Sequence, residues 1–317
     1  TSVGRDGEEH DVIDFRIDKP AVELSGGSIV ASTDSLLRAS GVPMKTLERT
    51  GVRTPLGEVL IARLTGPGKI EVAGPSAAAD VRRVADAMLG FGARQILIDG
   101  AIDRRAASSP DVADALVMST GAVLSEDIEE VIAITREAVE LVRLPVIDRT
   151  TVVGERLHAL AASAEGPSSA LIGEDGEPVA LPARFVLTAD SAQIGAALAA
   201  APQARLLLVG GALPDRFLRE LLAARRRLGG EITVVVGDAT RVFLTDRGLD
   251  WYRRQGVAIA ALHPIALRAL TVNPVAPQSH EFDSATLRAR LAEAIPGLPI
   301  FDVMHPEYVG EQGRRPT

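Results

Sequence analysis

The chain has no cysteine in its 317 residues, so disulfide bridges, thiolate metal sites and cysteine nucleophiles are excluded. Aromatic residues make up only 3%, and a core must therefore be built from alanine, valine, leucine and isoleucine. No apolar run approaches the roughly 20 residues that span a bilayer, and no signal-type segment opens the chain. We therefore expect a cytoplasmic protein with no membrane partner.

Acidic residues outnumber basic ones, and the formal net charge is −8. The densest basic stretch, Arg225-Arg226-Arg227, falls inside an amphipathic helical pattern and suits a solvated helix face. Binding to nucleic acid needs a basic face, and none is evident. The sequence therefore predicts no nucleic-acid partner and leaves a homo-oligomer open.

The apolar residues, 46% of the chain, form amphipathic helical segments that alternate with short apolar runs. This alternation predicts an α/β fold with an open, mostly parallel sheet and flanking helices. A small β-hairpin excursion is predicted from 58–64 and 69–73. Helices are predicted over 33–40, 78–90, 111–119, 128–142, 191–200, 214–228, 246–255 and 284–294. Strands are predicted over 95–98, 205–209, 232–236, 267–272 and 299–303.

A change of composition indicates how the chain is divided. Residues 161–182 contain a cluster of serine, glycine and proline and a Glu-Asp-Gly turn. We expect an N-terminal α/β part over 1–160, a linker or excursion over 161–182, and a C-terminal α/β part over 183–317. One continuous domain is the alternative.

Acidic residues and glycines follow two strand-like segments. Asp6, Gly7 and Glu8 follow the first residues of the chain, and Asp99 and Gly100 follow an apolar run. Ligands of open α/β sheets bind outside the carboxyl ends of strands, and carboxylates are ligands of Mg²⁺. An aspartate in this position organises Mg²⁺ in P-loop nucleotide hydrolases, so Asp99 is the candidate catalytic residue. Solvated turns are the alternative.

Three further residues could contact a nucleotide. Thr120 and Gly121 belong to a short segment of small residues before a predicted helix, where free backbone N–H groups can bind an anion. An ordinary turn between two helices is the alternative. Asn273 ends a predicted strand and could contact a nucleobase edge through its amide. Because proline follows it, a turn is equally suitable.

Several catalytic motifs are absent from the sequence. There is no G-x-x-x-x-G-K-[ST] phosphate loop, no G-x-G-x-x-G after a strand, and no G-x-S-x-G elbow. The five histidines show no metal-ligand spacing. The chain opens at Thr1 on what resembles the end of a buried strand, so we expect that upstream residues, and a phosphate loop with them, are missing.

Six separated segments resemble one family, the KamB-type subunit of the lysine 5,6-aminomutase reactivating factor. The likeness spans nearly the whole chain. The segments, in order, are TSVGRDGE at 1–8, RTPLGEV at 53–59, IEVAGPS at 70–76, ILIDGAIDRRAASSP at 96–110, MSTGAVLSEDI at 118–128 and LTVNPVAP at 270–277.

The resemblance implies an ATP-dependent, chaperone-like partner of an adenosylcobalamin enzyme, with a P-loop NTPase-like fold. It implies a second, MutS-like subunit and an aminomutase whose damaged cofactor is exchanged for an intact one. It further implies Mg-ATP as the ligand, with Asp6 and Glu8 near Mg²⁺, Asp99 orienting the ion, and Asn273 contacting the base. The missing phosphate loop is the departure from the family pattern.

Two other functions share these features. A small-molecule P-loop kinase or an ATP-dependent ligase of the dethiobiotin-synthetase type would use the same acidic strand ends, together with a pocket for a small acceptor. A non-catalytic α/β scaffold subunit would need none of them, and Asp6, Asp99 and Asn273 would then be turn residues.

Overall fold

The computed structural model describes residues 1–2, 22–99, 108–163, 169–173, 177–181, 186–225, 230–276 and 280–303. Contacts between Cα atoms divide the chain into two compact units, Thr1–Ala113 and Asp114–Thr317. The segment predicted as a linker or excursion, 161–182, contains two strands that belong to a sheet of the second unit. None of the helices in the described part of the chain is long and apolar enough to cross a membrane.

The first unit contains antiparallel strands and two helices. The elements are β1 (Val22–Leu24), β2 (Ile29–Thr33), α1 (Asp34–Ala39), β3 (Met44–Thr54), β4 (Gly57–Leu64), β5 (Gly68–Ile70) and α2 (Ala78–Gly90). β4 lies between β2 and β3, and β5 pairs with β1. The predicted hairpin between 58–64 and 69–73 is therefore wrong. β4 instead forms its hairpin with β3, a strand whose mostly exposed residues provide no apolar run to identify it.

The second unit begins with a parallel sheet of three strands. β6 (Leu116–Gly121) is followed by α3 (Ile128–Val142) and pairs with a strand near the C-terminus, described below. The helix predicted over 111–119 is therefore wrong, because much of that range forms β6. A short apolar run satisfies the pattern of a buried strand and that of a buried helix equally well, and strand pairing decides between them.

The rest of the second unit alternates between helices and strands. In chain order the elements are α4 (Val152–Ala162), β7 (Ser169–Ile172), β8 (Pro178–Ala180), α5 (Ser191–Ala200), β9 (Leu206–Val209), β10 (Leu213–Pro214), α6 (Asp215–Arg225), β11 (Ile232–Val236), β12 (Val242–Phe243), α7 (Leu249–Arg254), β13 (Val257–Ala261), β14 (Leu267–Asn273), α8 (Ser284–Ala294) and β15 (Ile300–Asp302).

The largest sheet has the strand order β13-β11-β9-β7-β8. β9, β11 and β13 are parallel, and β7 is antiparallel to β9. Side chains of β9 alternate between two cores: Leu207 packs in a core with Leu218 of α6, and Leu208 packs in another with Leu157 of α4. Helices therefore cover both faces, as parallel strands that are apolar throughout require.

β14 is the centre of the three-stranded sheet and pairs in parallel with β6 and β15. Its inward residues Leu270 and Val272 are buried against α3 and α8. The protein is thus α/β with several sheets, some of them parallel, and with eight α-helices in the described ranges. The predicted open parallel sheet is confirmed for part of the second unit, but the first unit is antiparallel and the sheets together are mixed.

Candidate functional site

The acidic residues predicted to hold Mg²⁺ lie only partly within the described chain. Asp6, Gly7, Glu8 and Gly100 are outside the described residues. Asp99 is inside them, in the first unit, and its side chain is exposed. Its carboxylate interacts electrostatically with the α-amino group of Thr1.

The structure pairs the first residues of the chain with Asp99 in the first unit. Ser2 and Asp99 form a parallel β-bridge, and the amide of Asp99 donates to the carbonyl of Thr1 over 3.1 Å. The clustering of Asp6 and Glu8 with Asp99 stays a prediction, because Asp6 and Glu8 lie outside the described residues.

Close packing holds this pair in place. Ser2 is 4% exposed, and its carbonyl oxygen would lie 1.9 Å from a Cβ atom placed on Gly74. Any larger residue at position 74 would force the backbone at Ser2 to move. The geometry of the Ser2–Asp99 bridge therefore depends on glycine at that position.

In the second unit, Gly121 and Asn273 end adjacent parallel strands. They are register partners in the pairing of β6 with β14, at the carboxyl edge of the sheet where α/β proteins bind ligands. A Cβ atom on Gly121 would lie 2.1 Å from the carbonyl oxygen of Asn273, so only glycine allows this approach. The structure thus places these two predicted residues side by side.

Thr120 lies in the same strand but faces the core. Its side chain is 9% exposed, and its hydroxyl contacts that of Thr135 in α3 over 2.6 Å. The hydroxyl of Thr135 donates to the carbonyl of Val131, so Thr120 must donate to Thr135. The prediction that Thr120 lies in a turn between helices is therefore wrong, and its hydroxyl is occupied within the core.

The start of α3 is unsuited to an anion. Asp127 caps the helix by accepting from the amide of Glu129 over 2.9 Å, and Glu129 and Glu130 lie in the first turn. Ser125 accepts from the amide of Asp127 and donates to Glu130. Three carboxylates already occupy the positive end of the helix dipole, so a phosphate there would be repelled.

Asn273 forms a local turn while remaining exposed. Its side-chain oxygen accepts from the amide of Val275 over 3.1 Å, across the intervening proline. Within the part of the chain that the structure describes, its amide nitrogen donates to no other residue. Asn273 can therefore contact a ligand acceptor in addition to forming the turn that its sequence also predicted.

Two further contacts of polar side chains were not predicted from the sequence, one long-range and one local. His280, after β14, contacts the carbonyl oxygens of Ala122 and Ser125 at 2.9 and 3.2 Å, so its Nε2 carries the proton. Asp238, 4% exposed at the end of β11, accepts from the amide and hydroxyl of Thr240. Only the spacing Asp-x-Thr, typical of a cap, could have indicated the second of these contacts.

We expect Thr120→Val to lower the free energy of unfolding by about 1 kcal/mol, because one buried hydrogen bond is lost. Nucleotide affinity should not change, since the hydroxyl is turned away from any ligand. Denaturant unfolding and calorimetric titration measure the two quantities. Adding Thr135→Val should cost less than the sum of the two single changes, because both hydroxyls are then replaced. Weaker nucleotide binding by Thr120→Val would contradict this assignment.

Neither a cluster of metal ligands nor a related protein identifies the site. Within the described ranges, no group of three or more histidine, aspartate or glutamate side chains is arranged to hold a metal ion. No family model matches the chain, and searches of curated proteins and of solved structures find no similar protein.

Proposed function

We propose that this chain is a nucleotide-linked reactivating subunit for an adenosylcobalamin-dependent lysine aminomutase, with a P-loop NTPase-like nucleotide site. The observation that carries the proposal is the parallel bridge between Ser2 and Asp99. It holds Asp99, whose exposed carboxylate could bind Mg²⁺, and the metal could in turn bind phosphate oxygens. The resemblance of the six sequence segments supplies the biological role.

Each residue of the proposed site has a distinct task. Asp6 and Glu8 would hold Mg²⁺, and Asp99 would orient it. Gly7 and Gly100 would let the backbone approach the phosphates closely. Thr120 is not part of the proposed site, because its hydroxyl is hydrogen-bonded to that of Thr135.

The resemblance also implies that Asn273 contacts the nucleobase. Gly121 is its register partner at the end of the adjacent strand. Mg-ATP would provide the free energy for releasing a damaged cobalamin. The expected protein partners are a MutS-like subunit and the aminomutase itself, in the cytoplasm.

Recovery of enzyme activity tests this role. An aminomutase inactivated by cofactor damage should regain activity when this protein, the MutS-like subunit, Mg-ATP and fresh adenosylcobalamin are added. Asp99→Ala should abolish the recovery, because the metal loses a ligand. Glu48→Ala, which removes an equally exposed carboxylate from β3, should retain it.

The alternatives give different results. Recovery without Mg-ATP, or no complex with either protein, would overturn the proposal. ATP consumption that requires only a small metabolite would indicate the kinase or ligase. Unchanged partner binding by Asp6→Ala, Asp99→Ala and Asn273→Ala, without nucleotide binding by any form of the protein, would indicate the scaffold.

A further inference from the structure

Two histidines far apart in sequence meet at the carboxyl edge of the largest sheet. Residues 145–147 run parallel to β13, with the amide of Ile147 donating to the carbonyl of Ala261 over 2.9 Å. α4 follows this segment and carries His158, and His263 comes two residues after the end of β13. The two imidazole rings have centroids 5.1 Å apart and planes at 77°, an edge-to-face contact.

Helices cover both faces of the sheet to which β13 belongs. α4 covers the face of the sheet that includes Leu208, and α6 and α7 pack on the opposite face with Leu207. The histidine pair joins α4 to the segment that follows β13.

Packing holds His158 in this contact. The neighbouring Leu157 is fully buried in the core beneath α4, so the helix cannot withdraw without losing apolar burial. The Nε2 atom of His158 is itself buried and has no hydrogen-bond partner among the described residues. His263 is exposed.

Among the described residues, no carboxylate contributes to the pKa of His158. The amide of His263 donates to the carbonyl of Gly237 over 2.9 Å, and the next residue, the buried Asp238, accepts from the amide of Thr240. Arg149, in the loop before α4, acts on His158 together with His263. Asp148 accepts from the amide and hydroxyl of Thr150 over 2.8 and 2.7 Å. On α4 itself the nearest acid is Glu155, which is exposed, and the core beneath the helix is apolar.

Protonation of His158 is therefore unfavourable in the folded protein. Burial lowers the pKa of His158 below its ordinary 6.5, and the positive charges of His263 and Arg149 lower it further. The folded state binds this proton more weakly than the unfolded state. The stabilisation from the neutral ring is complete above the unfolded pKa and is lost as the pH falls from there through the folded pKa.

We infer that the contact between His158 and His263 is acid-sensitive and that it holds α4 against the carboxyl end of β13. When both rings are neutral they pack edge to face. An imidazolium at His158 stands beside a second imidazole and an arginine, with a buried N–H that has no acceptor among the described residues. Acidification therefore loosens α4 at the carboxyl end of β13 and leaves the opposite face, covered by α5 and α6, intact.

Two measurements on the whole protein test this contact. The first follows the ring protons of His158 by NMR against pH, and the second follows the free energy of unfolding between about pH 8 and about pH 5, the range in which histidine changes charge. In the wild type, His158 should titrate below its ordinary value, and stability should fall with acid.

Arg149→Gln and His263→Gln should each raise the pKa of His158 and reduce the loss of stability, because each removes a nearby positive charge. Arg143→Gln, an equally exposed arginine at the end of α3, serves as the matched control and should behave as the wild type. Titration of His158 at or above its ordinary value overturns the inference, as does one pH dependence common to all four proteins. If His263→Gln fails to fold, Arg149→Gln still tests the inference, because Arg149 is exposed.

Discussion

Replacing Asp215 with alanine is expected to lower the free energy of unfolding of the second unit by about 3–5 kcal/mol. Asp215 begins α6 and is 4% exposed. Its carboxylate accepts from the Tyr252 hydroxyl over 2.7 Å, from the Asp246 amide over 2.9 Å, and from the amide and hydroxyl of Thr245. Alanine would leave four donors without their acceptor, one of them on a fully buried tyrosine.

The same network gives this change a pH dependence. Burial alone would raise the pKa of Asp215, but the hydrogen bonds from Thr245, Tyr252 and Asp246 outweigh it and hold the pKa below its ordinary 3.8. The folded state therefore binds the proton more weakly than the unfolded state. This contribution is present above the unfolded pKa and is lost as the pH falls through the folded pKa. The variant should lack that part of the acid sensitivity.

Two control variants separate the network from its surroundings. Asp246→Ala removes an exposed carboxylate paired with Arg219 and keeps the backbone amide that donates to Asp215, so it should cost below about 1 kcal/mol. Tyr252→Phe removes one of the four donors and should cost about 1–2 kcal/mol. Denaturant unfolding at neutral pH measures all three. A cost for Asp215→Ala no larger than that for Asp246→Ala would show that the buried network does not stabilise the unit.

Helices with a clear amphipathic period were predictable from the sequence. The predictions over 78–90, 128–142 and 284–294 coincide with α2, α3 and α8, because buried residues recur on one face of each helix. The prediction over 246–255 was too long, since α7 covers only Leu249–Arg254. α4 and β13 were not predicted, and β7 and β8 fell in the segment predicted as a linker or excursion. Their apolar runs are short or mixed, so these elements depend on pairing and packing with distant residues.

The position of Asn273 at a strand end was predictable from the sequence. Its register partner Gly121 was predicted between two helices, but the structure places it at the end of β6. The direction of the Thr120 side chain could not be predicted, because it depends on whether its segment is a strand or a turn. Contacts between residues far apart in the sequence, such as that between His158 and His263, leave no local sequence pattern and could not be predicted.

The second large effect is expected at Asp99. Its carboxylate is exposed, so its removal should leave the fold unchanged while depriving Mg²⁺ of a ligand. A lost metal ligand should reduce nucleotide affinity by at least about tenfold, which corresponds to about 1.4 kcal/mol. Gly74→Ala should have a similar effect for a different reason, because it displaces Ser2 and breaks the bridge to Asp99.

Calorimetric titration of Mg-ATP into the protein expressed from its full gene tests the central claim most directly. The account predicts binding by the wild type and by Glu48→Ala, and loss of binding by Asp99→Ala with an unchanged unfolding midpoint. Absence of binding by the wild type at millimolar nucleotide would contradict the account. It would leave a scaffold whose acidic strand ends are structural.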